Sequence, residues 1–135
     1  MGFKEIMEIS KPRIVVLLVI TAVTSMYAAS KLVDGAPDLQ YIDYLHIIIA
    51  GALASAGSSA LNHYYDRDID PKMTRTSTRP IPSGRMAAPH VMYYGLAVSC
   101  VSVIYGFFAL NAVSAFFIAV GIFSYVIIYT AWLKR

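Results

Sequence analysis

The chain has 135 residues, of which 58% are hydrophobic and 14% charged, with 11 basic against 8 acidic side chains. That composition excludes a disordered chain, which needs low hydrophobicity and a strong net charge. Cys100, the single cysteine, excludes an intrachain disulfide scaffold. The apolar residues gather in long uncharged runs with no polar face to turn to water, which argues against a soluble globule.

In chain order, Lys4, Lys11 and Arg13 precede the first uncharged run, the 17 residues from Ile14 to Ser30. A bilayer core takes about 20 apolar residues per helix, within a range of about 17–25, so a span is predicted over 13–31. It is too long for the apolar region of a signal peptide, and further spans follow it. The 22 uncharged residues from Tyr44 to Tyr65 predict a second span over 44–62. Within it Gly51, Ser55 and Ser59 form a small-residue stripe at four-residue spacing, which predicts close approach of another helix. Val91 to Leu133 is 43 residues without a charge. It holds two spans, over 91–110 and 113–133, reversing at Asn111. Tyr41, Tyr44, Tyr64, Tyr65, Tyr93, Tyr94 and Tyr129 stand near span ends as interfacial anchors. Cys100, inside the third span, is read as a small core filler. The fold class is therefore an all-α membrane protein with four transmembrane helices.

The loop charges orient it. With an even number of spans, the two ends of the chain and the segment between spans two and three share one side. That side carries ten bases and the other only Lys31. The positive-inside rule puts both termini and the 63–90 loop in the cytoplasm of a cell-membrane protein. No nucleic-acid partner is expected for such a chain; membrane lipid is.

The 63–90 loop is long for a helix–helix connection of about 2–8 residues. It holds three of the eight acids and five of the eleven bases. Asn62, Asp66 and Asp70 are four apart, so if span two stays helical past the membrane edge each step drifts only about 40° and the three form one stripe. Asp68 lies about 200° from either flanking aspartate and faces elsewhere. Pro71 disfavours helix at Asp70, which predicts that the helix stops there. Mg²⁺ is held by one or two carboxylates together with substrate phosphates and water, and this stripe suits that use. Lys72, Arg75 and Arg79 follow directly; arginine grips phosphate oxygens bidentately. Acids for a metal beside bases for phosphate, at a membrane edge, point to a lipid diphosphate. The plain alternatives are a solvated turn for the acids and lipid-headgroup contact for the bases. Against the first stands the helix dipole, which makes three acids at a helix C-terminus unfavourable unless a cation compensates them.

Three stretches carry a resemblance. They are Lys11-Pro12-Arg13 opening the first span, Asn62 with Tyr65-Asp66-Arg67-Asp68-Ile69-Asp70, and Arg79-Pro80-Ile81-Pro82-Ser83-Gly84-Arg85. The closing Tyr129-Thr130-Ala131-Trp132-Leu133-Lys134-Arg135 adds to them. Together they resemble the UbiA-type intramembrane prenyltransferases, and within these the branch that farnesylates protohaem IX. The resemblance implies transfer of a farnesyl group from farnesyl diphosphate to a vinyl group of protohaem IX, giving haem O, with Mg²⁺ as cofactor. Asp66 and Asp70 would be catalytic, and Asn62, Asp66 and Asp70 metal ligands. Lys72, Arg75 and Arg79 would hold diphosphate, with Lys11, Arg13, Tyr65, Arg67 and Arg85 in supporting positions. The resemblance also implies a nine-helix bundle with a second aspartate-rich motif. This chain is then expected to be its N-terminal part, with the remainder of the bundle missing and no turnover of its own. Two other readings stay open: prenyl transfer to a quinone precursor or an archaeal glycerol lipid, and a non-catalytic membrane fragment. His46, His63 and His90 fall on different elements and are read as interfacial or loop residues.

Overall fold

The computed structural model describes residues 2–134, all of it helix, turn and loop. A short helix α1 (Phe3–Ser10) is followed by α2 (Pro12–Leu32), α3 (Tyr41–Tyr65), α4 (Ala88–Ala109) and α5 (Ala112–Phe123). The last runs on without a break as a π-helix, Ser124–Leu133. Four rods of 21, 28, 22 and 22 residues are long and apolar enough to cross a bilayer. The first, third and fourth rods fall within three residues of the predicted spans, while the second, expected over 44–62, runs over Tyr41–Asp68. As predicted, the chain reverses at Asn111, whose side chain accepts from Ser114 N–H at 2.7 Å and caps α5.

Burial is inverted relative to a water-soluble bundle. No residue of α2 is buried, and Val16, Leu17, Ile20, Phe107, Phe116 and Phe117 lie exposed. The interior instead holds serines, Asn62, His63, Asp66 and Asp70. Large apolar side chains facing outward and small or polar ones inward is the pattern that lipid selects.

The densest packing is the α3–α4 seam. A Cβ on Gly57 would meet Ser99 Oγ at 2.5 Å and its backbone N at 2.7 Å, and one on Gly95 would meet the Leu61 backbone N at 3.0 Å. Ser102 Oγ donates to the Ala50 carbonyl at 2.9 Å across the same seam. The small-residue stripe of α3 behaves differently from expectation. A Cβ on Gly51 would find only Val19, at 3.9 Å. The stripe borders a cavity rather than receiving a closely packed helix.

Two further departures bear on the site. The α-helix of span two ends at Tyr65, and Asp66–Asp68 and Asp70–Lys72 are two tight 3₁₀ turns. Pro71 has no N–H to donate, so the chain tightens before reaching it. Helix α1 was not foreseen. Ile9 packs with Ala60, Met86 and Val91, and Ser10 Oγ and Tyr94 Oη lie 3.2 Å apart, tying α1 to α3, α4 and the loop.

Candidate active site

Four segments meet at one end of the bundle: the α1–α2 junction, the end of α3, the loop beyond it and the π-helical end of the α5 rod. Lys11 is in the left-handed region, φ 50° and ψ 67°. That conformation costs a non-glycine residue about 1–2 kcal/mol. It ends α1, starts α2 at Pro12 and turns the ammonium inward.

Lys11 Nζ donates to Asn62 Oδ1 at 2.9 Å. Asn62 Nδ2 donates to Asp66 Oδ2 at 3.0 Å and lies 3.2 Å from Thr130 Oγ1. Lys134 Nζ donates to the same Asp66 oxygen. Thr130 in turn donates to the Tyr125 carbonyl at 2.9 Å, and Lys134 N–H reaches the Tyr129 carbonyl, five residues back. This wider winding is rare in helices and recurs at functional sites. Here it brings Thr130 to Asn62 and Lys134 to Asp66. Both pairs are 68 residues apart, as the parallel course of α3 and the α5 rod requires.

Asp70 is held differently. Arg79 Nη1 donates to both its oxygens, at 2.9 and 3.0 Å, and Thr76 Oγ1 donates to its carbonyl at 2.9 Å. Asp66 and Asp70 are 0% and 2% exposed. Buried carboxylates at a helix C-terminus are tolerable only with cations beside them, and Lys11, Arg79 and Lys134 supply the charge. Burial, then repulsion from Arg79 and Lys134, pushes the Lys11 ammonium down to about 8, while Asp66 and Asp70 pull it back.

The sequence-derived set therefore divides. Asn62, Asp66, Asp70, Arg79 and Lys11 come together. Lys72 and Arg75 lie exposed on the outer side of the loop, and Arg13 is exposed at the start of α2. Arg67 sits 4.1 Å from the Tyr64 ring centre and donates to the Tyr64 carbonyl, and Arg85 forks onto Glu8 at 2.9 and 3.1 Å. Tyr65 is half-buried and lines a groove on the far side of α3. The expected single stripe is broken by the 3₁₀ turns: Asn62 bonds Asp66, while Asp70 takes Arg79. Thr130 and Lys134 were missed as site residues. The signal was their four-residue spacing, which repeats that of Asn62 and Asp66. His63 also departs from expectation, since it is buried and neither ring nitrogen has a hydrogen-bond partner. His46 pairs with Tyr105 across α3 and α4 at 2.6 Å, and His90 is exposed as expected.

Two apolar spaces adjoin this end. One, of about 480 Å³, runs down from Lys11 between α2, α3 and α5 past Ser59, Ser55 and Gly51. The other, of about 540 Å³, lies between α3, α4 and α5 and carries Tyr64, Leu96 and Phe123.

The residues present fit a hard divalent cation. Asp66 Oδ1 is buried without a hydrogen-bond partner, an acceptor left open four residues before the second buried carboxylate, Asp70. Among the described residues no group of three or more Asp, Glu, His and Cys side chains converges on a metal position. Such an ion would therefore take two carboxylates at most and complete its shell from ligand oxygens and water, as Mg²⁺ does. Asn62 is a hydrogen-bond hub whose carbonyl oxygen accepts from Lys11 and whose amide nitrogen reaches Asp66 and Thr130.

Residues 17–135 match the UbiA prenyltransferase family. The chain is 69% identical over all 135 residues to protoheme IX farnesyltransferase 1 of Cenarchaeum symbiosum, covering 46% of that protein. It is 42% identical over 134 residues to the protoheme IX farnesyltransferase of Agrobacterium fabrum, covering 40% of it. It is 38% identical over 125 residues to that of Pyrobaculum neutrophilum, covering 43% of it. The chain thus spans less than half the length of the curated relatives it matches. No solved structure matches it.

Proposed function

The chain belongs to the UbiA prenyltransferase family, and from that premise we propose that it supplies the diphosphate-binding part of a membrane enzyme that farnesylates protohaem IX. The observation that carries this reading is the buried Asp66–Asn62–Lys11 cluster with Lys134 and Arg79, set directly above a cavity of about 480 Å³. An acidic and cationic cluster over an apolar shaft is complementary to an amphiphile with a charged head and an isoprenoid tail. The relatives' name supplies the acceptor.

In this reading both termini and the loop face the cytoplasm, where ten of the eleven bases lie. Lys72 and Arg75, exposed on the loop, draw the diphosphate toward the membrane edge. Lys11, Arg79 and Lys134 then hold it, exchanging part of their contact with carboxylates for phosphate oxygens. Asp66 and Asp70 are the residues that would hold Mg²⁺ once these cations turn to the phosphate oxygens. When bound, Mg²⁺ acts as a Lewis acid that draws charge from the leaving diphosphate. The tail lies in the α2–α3–α5 cavity, which excludes water around the reacting end of the chain. Tyr125 lines the cavity wall, and an aromatic ring there favours positive charge developing on the allylic carbon. The bond between that carbon and the diphosphate oxygen breaks, and diphosphate leaves with the electron pair. The vinyl π-bond of protohaem forms the new bond to the allylic carbon. Water adds to the cation left on the other vinyl carbon, giving up a proton to the released diphosphate and leaving the hydroxyl of haem O.

The test is a splice. The matching part of the Cenarchaeum symbiosum relative is replaced by this chain, and the product is given labelled farnesyl diphosphate with protohaem IX, a quinone precursor or a glycerol lipid. Haem O formation that is lost with Asp66→Ala supports the proposal. Label appearing only in another acceptor contradicts the haem assignment.

A further inference from the structure

Helix α3 carries two glycines inside the bilayer, and only one of them is explained by packing. A mid-helix glycine costs about 0.5–1 kcal/mol relative to alanine, so each needs a reason. Gly57 has one, because Ser99 would lie 2.5 Å from any Cβ there. Gly51 has none within the chain: a Cβ would meet Val19 at an ordinary 3.9 Å. Gly121 on α5 is the same, with nothing within 4 Å. Neither has the positive φ that would demand glycine. What Gly51 and Gly121 share is the cavity between α2, α3 and α5, which both line. Ser59, higher on the same wall, is 4% exposed, and its Oγ has no hydrogen-bond partner.

The dimensions fit one ligand. Gly51 lies eleven residues below Asn62, about 16 Å down the helix axis. An extended chain advances about 1.2 Å per main-chain bond, so an isoprene unit of four such bonds spans about 4.7 Å, close to one helical turn. Three units take about 14 Å. Below Asn62, the successive turns bearing Ser59, Ser55 and Gly51 thus run alongside the first, second and third isoprene units.

We propose that Gly51 and Gly121 set the length of the prenyl chain by keeping the far end of this cavity open for a third isoprene unit. The proposal rests on the diphosphate-binding reading above and adds what measures the tail. Two short wall residues make room for fifteen carbons. A bulky side chain at either position leaves room for ten.

The experiment uses the 135-residue chain in detergent with Mg²⁺. It compares dissociation constants for inorganic diphosphate and for geranyl, farnesyl and geranylgeranyl diphosphates. The unaltered chain should bind farnesyl about tenfold or more tighter than geranyl diphosphate, with no further gain for geranylgeranyl. Gly51→Leu and Gly121→Leu should bring farnesyl down to the geranyl level and leave geranyl and inorganic diphosphate within about twofold. Gly51→Ala should keep the farnesyl preference. Leucine variants that retain the farnesyl preference overturn the proposal. A measurement independent of variant folding is a farnesyl diphosphate analogue with a photoreactive group on its last isoprene unit, used on the unaltered chain. Label near Gly51 and Gly121 supports the proposal, and label confined to α4 between Leu96 and Ile104 overturns it. If inorganic diphosphate binds but no prenyl chain adds affinity, this inference fails alone. If no diphosphate binds at all, the reading beneath it fails as well.

Discussion

The two sides of α3 use small residues for opposite ends. Toward α4, Gly57, Ser99 and Gly95 let two backbones touch, and Ser102 donates a hydrogen bond across the join. Toward α2 and α5, Gly51, Ser55 and Ser59 face space. The same composition closes one face and opens the other, so small size alone does not predict which will happen. What separates them is the neighbour. The α4 face offers a complementary groove of small residues, whereas on the other face Phe117, Ile118 and Tyr125 of the α5 rod line the cavity. The closed face is rigid support, and the open face carries the polar cluster at its top.

The largest effect should come from the closed face. Gly57→Leu forces the Ser99 backbone away and should destabilise the bundle by about 3 kcal/mol, read as a fall in the midpoint of thermal unfolding in detergent. A fall of the same size for Gly121→Leu would erase the contrast between the faces. Next comes the top of the open face. Asp66→Ala should weaken Mg²⁺-dependent farnesyl diphosphate binding by about 100-fold, since a buried, charge-paired group is lost. Asp68→Ala, at an exposed position, should leave binding within about twofold. Equal losses at both positions would mean that the loop binds by net charge and not by the buried cluster. The smallest effect on stability should be Gly121→Ala, a stabilisation of about 0.5–1 kcal/mol from helix propensity, measured by the same unfolding curve. A loss of stability there would place an unseen neighbour against α5.

The four spans were legible because lipid imposes a simple demand: long runs without charge. Their ends followed from Lys11, Asn111 and the loop charges. Helix α1 was not legible, because eight mixed residues carry no run, and only the pairing of Ser10 with Tyr94 and of Ile9 with Ala60 makes it a packed element. The carboxylate–amide centre was legible from spacing, although its geometry was not. Spacing assumed an α-helix through Asp70, and Pro71 tightened the chain into 3₁₀ turns instead. Arg79 was read as a phosphate ligand. The sequence does not reveal that Asp70 is the counter-charge it takes within this chain. Lys134 and Thr130 were hidden for a related reason. Their placement depends on a π-helical winding that shares its residue preferences with the α-helix, and on two rods running parallel.

The central proposal is that the Asn62–Asp66–Lys134 cluster and the Asp70–Arg79 pair would together hold a diphosphate with Mg²⁺ above an apolar shaft. The most direct measurement is farnesyl diphosphate binding to the chain in detergent, by calorimetry, with Mg²⁺ and again after chelation. Binding that requires Mg²⁺ and disappears in the Asp66→Ala, Asp70→Ala double variant is the predicted result. Binding that is indifferent to Mg²⁺ and survives the double variant would contradict it.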